Sequence, residues 1–153
     1  MTKPPFKILQ ADHTGITVRD IEASLAFWQG VLGFKLLYRA RRMGAFAEEV
    51  TGVAEAEIDI AVLLAPGHKI ELLQYIAPCH REHLRPRACD IGSVHVAFDV
   101  DNLDAVLAHI EAADWQAVGA PQIIAGGARN GTRVVYVRDP DGTTIEFMQP
   151  PTV

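Results

Sequence analysis

The chain is poor in features that would place it outside a reducing compartment. It has only two cysteines, Cys79 and Cys89, in 153 residues, too few for a disulfide framework. No run of about 18 apolar residues occurs, so no membrane span is expected. The opening MTKPPFKILQ lacks the apolar stretch and small-residue cleavage site of a secretory signal. Together these absences suggest the cytoplasm. Basic excess is missing too: 14 Lys and Arg stand against 19 Asp and Glu, a formal net charge of −5. That argues against a nucleic-acid partner, which would show a basic patch. What the chain does have is apolar residues, 49% of the total, enough to build a core.

Hydrophobic alternation marks HTGITV (13–18) and HVAFDV (95–100) as strands. Each runs into an acidic cap and a helical pattern. The first helix is expected from near Asp20, with Ile21, Leu25, Trp28 and Leu32 on one side and Gly33 as its terminating glycine. The second is expected from Asp101 or Asn102, with Leu103, Val106, Leu107 and Ile110 on one side, running out near Asp114. Phe27 and Trp28 read as core. Three strands follow each helix: 34–40, 58–64 and 69–75, then a weak 122–125, 133–137 and 144–148. PGH (66–68) and DPDG (139–142) supply turns. The segment 41–57 reads as a loop with a short helix. The chain is thus βαβββ written twice, module 1 over about 8–76 and module 2 over about 93–150, with connector 77–92.

The repeat extends to chemistry. His13 opens module 1 and Glu71 lies in its last strand; His95 opens module 2 and Glu146 lies in its last strand. The intervals are 58 and 51 residues. Alternation puts each of these four opposite an apolar face, with small Gly15 and Ala97 two residues after the histidines. A carboxylate inside a buried-looking strand costs several kcal/mol unless something neutralises it. Singly, each His or Glu has an ordinary explanation as a solvated or hydrogen-bonded side chain. Placed in both repeats, two imidazoles and two carboxylates point to a divalent cation. Nitrogen and oxygen donors without thiolate suit Zn, Ni, Co, Mn or Fe(II). Weaker candidates are Arg39, Arg41, Arg42 and Arg129 as anion contacts, and GGARNG (126–131) as a lid. Cys79, His80, His83 and Cys89 form a second, poorly spaced zinc set. Tyr136 reads as packing.

Four stretches carry a family resemblance: DHTGITVRDIEASLAFWQGVLGFKLL (12–37), PGHKIELLQ (66–74), GSVHVAFDVDNLDAVLAHI (92–110) and VVYVRDPDGTTIEFMQP (134–150). They resemble the vicinal oxygen chelate superfamily of glyoxalase I, methylmalonyl-CoA epimerase, fosfomycin-resistance enzymes, extradiol dioxygenases and bleomycin-resistance proteins. The resemblance implies an α+β fold of two βαβββ modules forming a cupped mixed sheet, with helices on the outer face. It implies metal ligands at His13, Glu71, His95 and Glu146, a set like that of bacterial-type glyoxalase I. The implied activity is a metal-dependent lyase or isomerase acting on a small molecule. In that chemistry a proton leaves the carbon α to a metal-bound carbonyl or thioester, with Glu146, or failing it Glu71, as base. Alternatives are an Fe(II) extradiol-type dioxygenase and a non-catalytic drug-binding resistance protein. The resemblance also implies a homodimer, and leaves open whether each site forms within one chain or across two.

Overall fold

The computed structural model describes residues 4–139 and 141–152; Pro140 of the DPDG turn lies outside them. Module 1 runs β1 (Thr14–Thr17), α1 (Ile21–Leu25), β2 (Lys35–Met43), α2 (Ala45–Thr51), β3 (Glu57–Ala65) and β4 (His68–Ala77). Module 2 runs β5 (His95–Asp99), α3 (Leu103–Glu111), β6 (Gln116–Ala117), β7 (Gln122–Ile123), β8 (Arg133–Arg138) and β9 (Thr144–Gln149). The expected elements are present, with β6 as an unforeseen two-residue strand.

The helices start where short polar side chains cap them. Asp20 accepts from the Glu22 and Ala23 amides, and Asn102 accepts from the Ala105 amide. The α1 segment continues as a π-helical turn over Ala26–Val31. This wide turn brings consecutive aromatics into the interior. Phe27 stacks on Trp115, with ring centroids 3.4 Å apart, while Trp28 meets Phe34 and Phe98. Both are buried, as the sequence pattern predicts. Gly33, at φ +71°, then turns the chain into β2.

The strands form two mixed sheets. Sheet 1 has the order β1-β4-β3-β2, and sheet 2 the order β5-β9-β8-β6 with β7 also on β8. In each, the first strand of the module is an edge strand lying parallel to the last. One apolar core draws on both modules. Ile16, Ile70 and Leu72 of sheet 1 join Val135, Ile145 and Phe147 of sheet 2 around residues of α1, its π turn and α3. The sheets therefore share the core through their helix-bearing faces. The opposite faces, carrying Gly15 and Thr17 on β1 and Ala97 and Asp99 on β5, are exposed.

One helix departs from the expected outer position. Ala47 of α2 is buried with Ile58, Ile60 and Val62, and Leu73 and Tyr75 pack beside them. Val62 is the register partner of Glu71, so α2 covers part of the Glu71-bearing face of sheet 1. It falls inside the 41–57 segment where a short helix is expected.

Candidate metal centre

Each module assembles one histidine and one glutamate. His13 sits immediately before β1, and its Nε2 is 3.1 Å from Glu71 Oε2. His95 opens β5, and its Nε2 is 3.2 Å from Glu146 Oε2. The registers match: Glu71 lies across from Gly15 and Glu146 across from Ala97. Small residues at those two places leave room for the carboxylates. Both glutamates are mostly covered, at 18% and 16% side-chain exposure, beside histidines about 40% exposed.

The two pairs differ in their surroundings. His13 Nδ1 is 2.8 Å from Asp12 Oδ1, and Lys69 Nζ donates to Asp12 Oδ2 at 2.7 Å. The Lys69 hydrogen bond, and after it that of His13, hold the Asp12 carboxyl below its ordinary value. His95 instead packs against the ring of Tyr136, with centroids 5.1 Å apart. Tyr136 stands across from Glu146 in the β8–β9 ladder, so it shares the face of Glu146 and packs within it. The signal for Asp12 was its place next to a ligand-type histidine; a carboxylate there orients the ring.

The donor chemistry fits a cation. If Nδ1 carries the hydrogen shared with Asp12 and Nε2 carries none, the Nε2 lone pair faces the Glu71 oxygens. Two acceptors at 3.1 Å repel unless a proton or a metal ion stands between them. Imidazole nitrogen with carboxylate oxygen is a donor set for borderline divalent metals.

The structure brings the four sequence candidates together as two pairs. Among the described residues no group of three or more His, Cys, Asp or Glu side chains is placed to hold a metal ion. The same observation removes the second zinc set of the connector; Cys79 and Cys89 are free and exposed. The arginine candidates are engaged elsewhere. Arg41 forks onto Asp59 at 2.6 and 2.8 Å, Arg39 pairs with Glu22, and Arg42 donates to the Arg41 carbonyl. Arg129, in the 126–131 loop, reaches Asp99 at 3.1 Å and ties that loop to the end of β5.

Across residues 10–147 the sequence matches the glyoxalase/bleomycin resistance protein/dioxygenase superfamily. The chain belongs to that superfamily. Among superfamily relatives, a lactoylglutathione lyase of Neisseria meningitidis serogroup B is 32% identical over 141 residues, spanning 90% of this chain and 88% of its own. A glyoxalase family protein of Bacillus cereus matches with a TM-score of 0.84 at 23% identity, covering 99% of this chain and all of its own. FosX, a fosfomycin resistance protein of Listeria monocytogenes in complex with Mn(II) and sulfate, matches with a TM-score of 0.63 at 16% identity, covering 95% of each chain. The two structural likenesses are likenesses of fold.

Proposed function

We propose that this superfamily member is a metal-dependent lyase or isomerase of the glyoxalase type, working as a homodimer in which each metal site takes His13 and Glu71 from one copy and His95 and Glu146 from the other. One observation carries the reading: both modules hold a His–Glu pair at the same place in the strand register, and each pair supplies only half of a four-ligand set. A shared core holds the helix-bearing faces together, so the ligand faces are left outward. The histidine strands β1 and β5 are free sheet edges, available to a second copy. The relatives lend support, one as a lactoylglutathione lyase and one as an Mn(II) complex.

When bound, the metal supplies Lewis acidity that favours the negative charge developing as a proton leaves the carbon α to a carbonyl or thioester. The residues do the rest. Glu146 takes the proton on a carboxylate oxygen and returns it to a neighbouring carbon. Asp12 holds the His13 ring, and Tyr136 backs the His95 ring. Leu73 and Met148, each two residues beyond a glutamate and half-buried on the same face, thin the water around the base. The exposed free thiols of Cys79 and Cys89 suit a reducing cytoplasm.

Elemental analysis and a mixing experiment test this. The wild-type protein should carry about one divalent ion per chain. His13→Ala and His95→Ala should each carry none. Refolded together, they form some dimers in which one site has all its ligands, and statistical pairing restores about a quarter of the wild-type sites. Recovery of none from a mixture that dimerises would sink the shared site. A wild-type protein without affinity for any divalent metal would sink the enzyme reading.

A further inference from the structure

Both modules end on the same pattern: Glu71 and Gln74 in β4, Glu146 and Gln149 in β9. Three residues apart on a strand, Glu and Gln point to opposite faces. The glutamate meets its histidine, and the glutamine reaches the other way. Gln74 Oε1 accepts from the Ile21 amide at 2.8 Å, and Gln149 Oε1 accepts from the Leu103 amide at 2.9 Å. Ile21 and Leu103 are the first residues of α1 and α3, and each lies eight positions after its module's histidine.

The first amides of a helix have no partner within it. Asp20 and Asn102 cap later ones, at Glu22, Ala23 and Ala105. The first amide is left to a side chain from the module's last strand. A circuit results in each module: histidine, edge strand, first helical amide, glutamine, last strand, glutamate. An edge strand is held from one side only, so a tie at its far end limits how far it can slide or peel. The surface ion pairs Arg39–Glu22 and Arg133–Asp104 run alongside, but exposed pairs contribute little.

We propose that Gln74 and Gln149 are positioning residues that lock each histidine strand to the glutamate strand of its own module and so set the His–Glu separation in each half-site. What the half-sites hold rests on the function proposed above; the circuit itself does not.

The test separates the two. In metal-free protein, the imidazole ring signals are followed by NMR at fixed pH. Gln74→Leu should move the His13 signals and leave those of His95; Gln149→Leu should do the reverse. Asn102→Ala removes the cap of α3 without touching Gln149, and should lower the melting temperature while leaving the His95 signals in place. Where leucine is not accommodated, Gln→Ala removes the same acceptor without bulk. Gln→Glu keeps an acceptor oxygen and should restore the wild-type signals. Cobalt(II) titration should then show at least about a ten-fold loss of affinity for Gln→Leu and near-full recovery for Gln→Glu. Unmoved histidine signals in the Gln→Leu variants, or equal movement in Asn102→Ala, would overturn the proposal. A wild-type protein that takes up no cobalt would overturn the metal reading, and the histidine signals would still decide this one.

Discussion

The two modules carry the same His–Glu pair in unlike settings. In module 1, His13 is tied through Asp12 to Lys69, and α2 covers part of the face where Glu71 stands. Its later strands are long, nine or ten residues each. In module 2, strands β6 and β7 shrink to two residues, no helix stands between them, and His95 has the ring of Tyr136 beside it where His13 has Asp12. Module 1 thus adds two neighbours that module 2 lacks, the Asp12–Lys69 tie at its histidine and the cover of α2, while the two glutamates are about equally buried. Glu146, the base in the function proposed above, is the glutamate without these neighbours, and substitution can tell the two acids apart.

The largest expected effect comes from exchanging the two acids. Glu146→Gln should lower turnover per bound metal on the order of 10² to 10⁴-fold, the usual range for losing a general base. Glu71→Gln should weaken metal binding while turnover per bound metal stays near wild type. Both are read as kcat together with metal content, on a substrate found by screening hemithioacetals and acyl thioesters. Equal losses in the two variants would erase the distinction between the modules.

Next in size is the Asp12 tie. Asp12→Asn should free the His13 ring and lower metal affinity by about 10 to 100-fold, as loss of a ligand's hydrogen-bonded partner does. Removing Tyr136 down to phenylalanine should change affinity little, because the contact is between rings. The pH dependence has a definite sign. Asp12 is held below its ordinary 3.8, first by Lys69 and then by His13. A depressed carboxyl contributes above its unfolded value, and the contribution fades as pH falls through the lower folded one. The ring orientation that Asp12 provides should thus persist to pH below 3.8 in the folded protein. An earlier loss in the His13 NMR signal would show that Lys69 does not hold the carboxylate.

Much of this was legible in the sequence because strand alternation and helix caps are local. Asp20 and Asn102 announced their helices, Gly33 ended the first, and His and Glu fell on the faces that alternation assigns. Order placed one histidine and one glutamate in each module, but that the first and last strands lie side by side came only from the structure. Which faces share a hollow is not local. It depends on how one module packs on the other, and here Ile16, Leu72, Phe147 and their neighbours join the modules through the helical faces. The π turn was equally hidden: adjacent Phe27 and Trp28 are both buried, and the partner that stacks on Phe27, Trp115, comes from module 2. Tyr136 alternates with core Val135 and Val137, so its face was readable; its contact with His95 required the register of three strands.

The smallest expected effect lies at the residue across from each glutamate, glycine in module 1 and alanine in module 2. A Cβ placed on Gly15 would stand 3.3 Å from Leu73 Cδ1 and 4.0 Å from Glu71 Oε2. The first contact is tight, but it is with the end of a flexible side chain, which can yield by a few tenths of an ångström. Gly15 is not among the residues at positive φ, and a strand interior gains roughly 0.5–1 kcal/mol when alanine replaces glycine. Gly15→Ala should therefore make module 1 resemble module 2 at this point, leaving metal content unchanged and stability within about 1 kcal/mol of wild type. Gly15→Val adds two methyl groups toward the same neighbours and should displace Glu71, lowering metal content. Thermal melts paired with elemental analysis of the two variants would show whether the space beside Glu71 is needed. If alanine already empties the site, the two modules are less interchangeable than their matching registers imply.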